Sequence, residues 1–156
     1  MQLQIKHFED YGLSEWDSLV VRFEKATFDH SWTWLTFISK QSNIVAHVTF
    51  VCMENDKTPL AIIPLAITKT AENNIELSFN GAPCPVPVFA KIKPRTKRKL
   101  FDSVFLKINE IARENQAKKI LFKNASVSLG TVSTETISNA DDFELLRYQF
   151  NYLVHN

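Results

Sequence analysis

Glycine is scarce in this chain. Only Gly12, Gly81 and Gly130 occur among 156 residues, where the average usage of ~7% would give about eleven. Neither G-x-G-x-x-G nor G-x-x-x-x-G-K-[ST] occurs, so Rossmann-type and P-loop nucleotide binding lose their sequence support. Chemistry that needs a glycine-rich phosphate cradle must find it outside these residues. Cysteine is short as well. Cys52 and Cys84 are too few for a disulfide framework, and no C-x-x-C or H-x-x-x-H spacing exists, so no metal site is expected. Charge of one sign is missing: 18 basic residues against 17 acidic ones give +1, which predicts no general affinity for polyanions. A long apolar run is also absent. The longest, residues 59–67, contains Pro59 and Pro64 and falls far short of the ~20 residues that span a bilayer. The opening MQLQIKHFED has no basic region followed by an apolar one, so a secretory signal is not expected. The localisation expected from these absences is cytoplasmic.

What is present suits an ordinary folded domain. The hydrophobic fraction is 45% and the charged fraction 22%, enough apolar surface to offset chain entropy. Twelve Phe, three Trp and three Tyr predict an aromatic-rich core. Residues 3–8 read as a first strand. Ser14 is the expected N-cap of a helix carrying Trp16, Leu19, Val20 and Phe23 and ending near Glu24. Ser31 would cap a second helix with Trp34, Leu35 and Ile38. Trp32 and Trp34 lie ~200° apart on a helix, so one of them is a candidate for a cleft or an interface. Residues 44–53 and 59–69 read as antiparallel strands across a polar turn, with Pro64 marking a bulge or an edge. Ile75, Leu77 and Phe79 alternate as a third strand. Pro83, Pro85 and Pro87 prevent regular ladder bonding. Thr96 is the expected cap of the most regular helix, with Leu100, Phe101, Val104, Phe105, Ile108 and Ile111 on one stripe. Residues 119–122 complete a β–α–β unit. The predicted fold class is α+β, a mixed and mostly antiparallel sheet flanked by helices. Residues 124–139 are polar and weakly patterned. The aromatic run 143–152 is an edge that could pair with a second copy or another chain.

Few residues suggest chemistry directly. Asp29 and His30 could serve as orienting acid and base. The structural alternative is that His30 caps or hydrogen-bonds a helix start. His7, His47 and His155 read as ordinary histidines, and Glu110 and Glu114 as a solvated face. Cys52, inside an apolar run, reads as a small buried hydrophobe. Cys84, between two prolines, has no activating base in any motif. Lys91, Lys93, Arg95, Lys97, Arg98 and Lys99 put six cations into nine positions with no acid among them. Three readings stay open for this stretch. It is a solvated approach to a helix, a cradle for a phosphorylated substrate built on Lys93, Arg95, Lys97 and Arg98, or a footprint for nucleic acid or an anionic membrane. Specific nucleic-acid recognition is not expected from one stretch without a docking element.

The order of segments resembles a known family. Trp16 is followed by Ala26-Thr27-Phe28-Asp29-His30-Ser31-Trp32-Thr33-Trp34-Leu35. Then come Ile62-Ile63-Pro64-Leu65 and Leu77-Ser78-Phe79-Asn80-Gly81-Ala82-Pro83. The pattern, over residues 14–122, is similar to the N-terminal half of FemAB-like acyltransferases, which are built from GNAT-like domains. The resemblance implies a GNAT-like acceptor-side domain over 1–123. It implies that 124–156 are its terminal segment, or the start of a second half. It implies transfer of an acyl or aminoacyl group onto an amine, often in cell-wall or polysaccharide precursors. Acyl-CoA or aminoacyl-tRNA would be the donor of the complete family, with no cofactor held by this chain. Trp32, Trp34, Pro83, Cys84 and Pro85 would line the substrate cleft. This chain would then be an acceptor-side half, or a truncated or split form, not catalytic alone. The alternative is a non-enzymatic binding or oligomerisation module with an anion-binding basic loop.

Overall fold

The computed structural model describes residues 3–55, 57–79 and 85–122. In order, the elements are β1 (Leu3–His7), α1 (Leu13–Val20), α2 (Trp32–Ile38), β2 (Ile44–His47), β3 (Phe50–Glu54), β4 (Thr58–Ile63), β5 (Leu65–Lys69), β6 (Ile75–Phe79), β7 (Val88–Phe89), α3 (Pro94–Glu114) and β8 (Lys119–Phe122). The architecture is the predicted mixed α+β. One wing of strands has the order β1-β3-β4-β7 and the other β2-β5-β6-β8. Every pairing is antiparallel except β6 with β8, which is parallel. The parallel pair needs a crossover, and α3 supplies it.

The strands predicted over 44–53 and 59–69 are each divided. Val48 and Thr49 separate β2 from β3, and Pro64 separates β4 from β5. Proline has no N–H for the ladder, so the strand bends there. Val48 N–H donates to the Leu65 carbonyl at 2.9 Å across this join, which makes the two wings one bent sheet. Alternate residues serve opposite faces. Phe50, Cys52, Ala61, Ile63, Leu65 and Ile67 pack with Leu100, Phe101, Val104, Phe105, Ile108 and Ile111 of α3. Val51, Met53, Ile62 and Ala66 pack with Trp16, Leu19, Val20, Leu35 and Ile38 of α1 and α2. Burial on both faces explains why residues 59–67 form an unbroken apolar run.

Two helix starts differ from expectation. Gly12, in extended conformation, is the N-cap of α1, and Ser14 lies inside the helix. The helix stops at Val20, and the chain turns through Arg22 and Phe23, whose N–H groups donate to Leu19 and Val20. Lys93 caps α3, with Pro94 in its first turn, where the missing N–H and fixed φ cost nothing. The Asn73-Asn74 turn closes through Thr70, with Asn73 at φ 63°. The segments 124–156 and 143–152, with Phe150, Tyr152 and His155, lie outside the described residues.

Candidate functional site

The most heavily constrained region joins α1, α2 and the proline-rich segment. A 3₁₀ turn, Phe28–His30, precedes α2. His30 is fully buried. Its Nδ1 accepts from the Thr27 N–H at 3.1 Å, and its Nε2 lies 2.7 Å from the Val86 carbonyl. A carbonyl only accepts, so Nε2 carries the proton and the ring is neutral. Both nitrogens are therefore committed to the backbone. The His30 carbonyl in turn accepts from the Trp16 indole Nε1 at 2.7 Å. Asp17 Oδ1 accepts from the Trp32 N–H at 2.9 Å, and Ser31 Oγ accepts from the Trp34 N–H at 3.3 Å. Two side-chain acceptors thus satisfy the start of α2.

Trp32 and Trp34 diverge as the helical geometry requires. Trp32 is half-buried and stacks on Phe8, with ring centroids 4.4 Å apart. Phe8 also meets the edge of Trp16 at 4.8 Å and lies 6.2 Å from the His47 ring. Trp34 is also half-buried against the α1/α2 core, between Phe28 at 5.9 Å and Phe37 at 5.4 Å, which are 65% and 54% exposed. Pro85 and Pro87 are buried and bracket the exposed Val86. Through its bond to the Val86 carbonyl, His30 ties the Pro85–Pro87 stretch to the turn that precedes Trp32 and Trp34. Pro83 and Cys84 lie outside the described residues.

Asp29 is exposed, and the His30 ring bonds Thr27 and Val86 instead of a carboxylate. The two do not form an acid–base pair in this geometry. A second histidine is buried as well. His47, at the end of β2, is 8% exposed and its Nε2 lies 3.1 Å from the Thr49 hydroxyl. Burial lowers its pKa from 6.5 to about 4, so it is neutral at physiological pH. Its register partner Ala66 pairs in turn with buried Ser78. His47 ends β2 and Thr49 lies in the break before β3, so the pair spans the join between the two strands. Cys52 packs under α3, and burial raises its thiol to about 12, which makes it inert.

The basic stretch begins α3. An open depression of about 420 Å³ is lined by Ala90, Lys91, Ile92, Lys93 and Lys97. Lys91 pairs with Glu24 at 2.7 Å, lowering the carboxyl pKa and raising the ammonium pKa through their hydrogen bond. Lys97 lies over the Phe101 ring at 5.9 Å. Arg98 is exposed and outside this lining. Lys93, Arg95, Arg98 and Lys99 form no ion pair among the described residues. The first turn of α3 suits a backbone phosphate cradle poorly. Pro94 offers no N–H, the Lys97 N–H donates to the Lys93 carbonyl, and side chains stand where glycines would let a phosphate approach.

No protein-family model matches the sequence, and a search among curated proteins gives no match. Solved structures do match in fold. An aminoglycoside antibiotic 6'-N-acetyltransferase from Acinetobacter baumannii aligns over 81% of this chain and 82% of its own, with TM-score 0.52 and 12% identity. An acetyltransferase from Trypanosoma brucei aligns over 82% of this chain and 87% of its own, with TM-score 0.50 and 16% identity. Most of each neighbour is covered, so the likeness is to one whole domain. The fold is GNAT-like.

Proposed function

We propose that this chain is an acyltransferase-like domain of the acceptor side, and that the acyl donor is held by a unit outside these residues. What carries this reading is the first turn of α3. Within a GNAT-like fold, it presents Lys93-Pro94-Arg95-Thr96-Lys97 in place of a glycine-rich turn. The acceptor would lie against Trp32, Trp34 and Pro85, with the neighbouring Pro83 and Cys84 on the same segment. FemAB-like transfer to an amine, from acyl-CoA or aminoacyl-tRNA, is the reaction class that the sequence pattern supports. His30 would act as a positioning residue that fixes the proline segment, because neither of its nitrogens is available for a proton. Titration calorimetry of the chain with acetyl-CoA tests this reading. We expect no measurable heat of binding, and tight binding would instead make the chain a complete transferase.

A second reading is supported by one observation. Lys93, Arg95 and Arg98, with Lys97 beside them, start a helix whose dipole disfavours cations. An anionic partner would offset that cost. Under this reading the chain is a binding module, and inorganic phosphate or pyrophosphate should bind it with an affinity that falls as salt rises.

A further inference from the structure

A cavity of about 240 Å³ lies where α1 meets β1 and β3, with Lys6, Glu15, Ser18, Leu19, Arg22 and Met53 in its lining. Glu15, Ser18, Leu19 and Arg22 stand at i, i+3, i+4 and i+7, the spacing that gathers side chains on one helix face. Arg22 is just past the end of α1, where its N–H donates to the Leu19 carbonyl at 3.1 Å. Lys6 comes from the edge strand β1 and pairs with Val51, which packs with α1 and α2. Directly opposite residues share a sheet face, so Lys6 stands on the covered side of its strand, and it is half-buried there. Leu19 and Met53, 7% and 6% exposed, supply the apolar part of the lining. From this set we infer a binding site for a small linear zwitterion, with an ammonium at one end, a carboxylate at the other and an apolar body between them.

The charges choose the ligand. Glu15 and Arg22 line the same cavity, yet neither forms an ion pair among the described residues. Two turns of helix, about 10 Å of rise, hold their backbones apart. A ligand that carries both charges bridges the gap, its carboxylate toward Arg22 and Lys6 and its ammonium toward Glu15. Ser18, between them in sequence, sharpens this polarity. Its hydroxyl donates to the Ser14 carbonyl at 2.7 Å, so only its lone pairs remain for a ligand, and these accept from an ammonium. An α-amino acid holds both charges on one carbon and reaches one end of the site. An ω-amino acid of about six carbons, or a short peptide with free ends at ~3.5 Å per residue, reaches both. The size agrees, because drug-sized ligands fill ~300–1,000 Å³ and this cavity is smaller. A plain anion such as phosphate would meet the Glu15 carboxylate as a like charge.

This inference rests on neither reading above, because Trp32, Trp34, Pro85 and Arg95 do not line the cavity. Titration of the full chain, followed by the NMR shifts of its backbone amides, tests it. The probes are glycine, 6-aminohexanoate and the tripeptide Gly-Leu-Gly, with hexanoate and hexylamine as ligands that keep one charge each. Amides of residues 15–22 should shift with 6-aminohexanoate and with Gly-Leu-Gly. Glycine should bind about tenfold more weakly or worse, as loss of one charged contact predicts. Glu15→Gln should weaken 6-aminohexanoate about tenfold and leave hexanoate unchanged. Arg22→Gln should weaken 6-aminohexanoate to a similar degree and leave hexylamine unchanged. Both positions are exposed, so neither change disturbs the core. The order of 6-aminohexanoate and Gly-Leu-Gly tells an ω-amino acid from a peptide as the source, and either order supports the site. No shift at about 10 mM, tenfold above a millimolar Kd, overturns the inference and leaves Lys6 as a guard against edge pairing. Hexanoate binding as tightly as 6-aminohexanoate also overturns it, as do variants that weaken every ligand equally.

Discussion

Burial keeps the His47 imidazole neutral, with a pKa lowered from 6.5 to about 4. The consequence for stability follows from linkage. The unfolded chain takes up the proton near pH 6.5, and the folded chain resists it until near pH 4. The contribution is therefore fully present above pH 6.5 and is lost as pH falls from there toward 4. At 1.36 kcal/mol per unit the loss is about 3 kcal/mol. Urea unfolding at pH 7.5 and pH 4.5 should show it, and His47→Gln should remove that part of the difference. Equal pH dependence in both proteins would show that His47 does not sense pH. Cys52 gives a second test at this scale. With its thiol pushed up to about 12, its peptide should stay unlabelled by iodoacetamide at pH 8 until denaturant is added. Labelling of that peptide in the native chain would contradict the burial.

Helix starts decide the next scale. Asp17 caps α2 from the preceding helix, donating nothing and accepting the Trp32 N–H. Asp17→Ala should therefore cost about 1–2 kcal/mol by denaturant titration, as loss of a cap does. At α3 the sign is opposite. Its first turn holds no acid, so Arg95→Glu should stabilise the fold by about 0.3–1 kcal/mol. If the same change also weakens pyrophosphate binding, the cations are kept for a partner and not for the fold. An Arg95→Glu protein that unfolds more easily would contradict the dipole argument. These caps also mark what was legible in the sequence. The α3 stripe from Leu100 to Ile111 could be read because its period is local. The alternation through Leu77 could be read for the same reason. Pro64 announced the break between β4 and β5. Asp17 reaching Trp32 and His30 reaching Val86 could not be read, since their partners stand 15 and 56 residues apart and no period encodes them. His30 is open in the sequence to two readings, a base beside Asp29 or a hydrogen-bonding group at a helix start, and nothing local names Val86 as its partner. His47 reads as an ordinary histidine in the sequence, because its Thr49 partner lies in the break between β2 and β3.

The whole molecule is built on one sheet that feeds two cores. Phe50 and Cys52 face α3, and Val51 between them faces α1 and α2. Neither side can lose its packing without exposing strands that the other side needs. The chain should accordingly unfold in a single transition despite its two separate clusters of buried side chains. Leu35 and Ile108 sit on opposite faces, 0% and 1% exposed. Truncating either to alanine should cost about 2–5 kcal/mol. In both variants, circular dichroism and tryptophan emission should shift to the same lower urea midpoint. The tryptophans Trp16, Trp32 and Trp34 all belong to the α1/α2 side. Ile108→Ala is thus the sharper test, because it removes packing on the face that holds no tryptophan. If its emission midpoint stayed near the parent value while the helical signal fell early, the two faces would be independent units, and the bent sheet would be a shared wall between them.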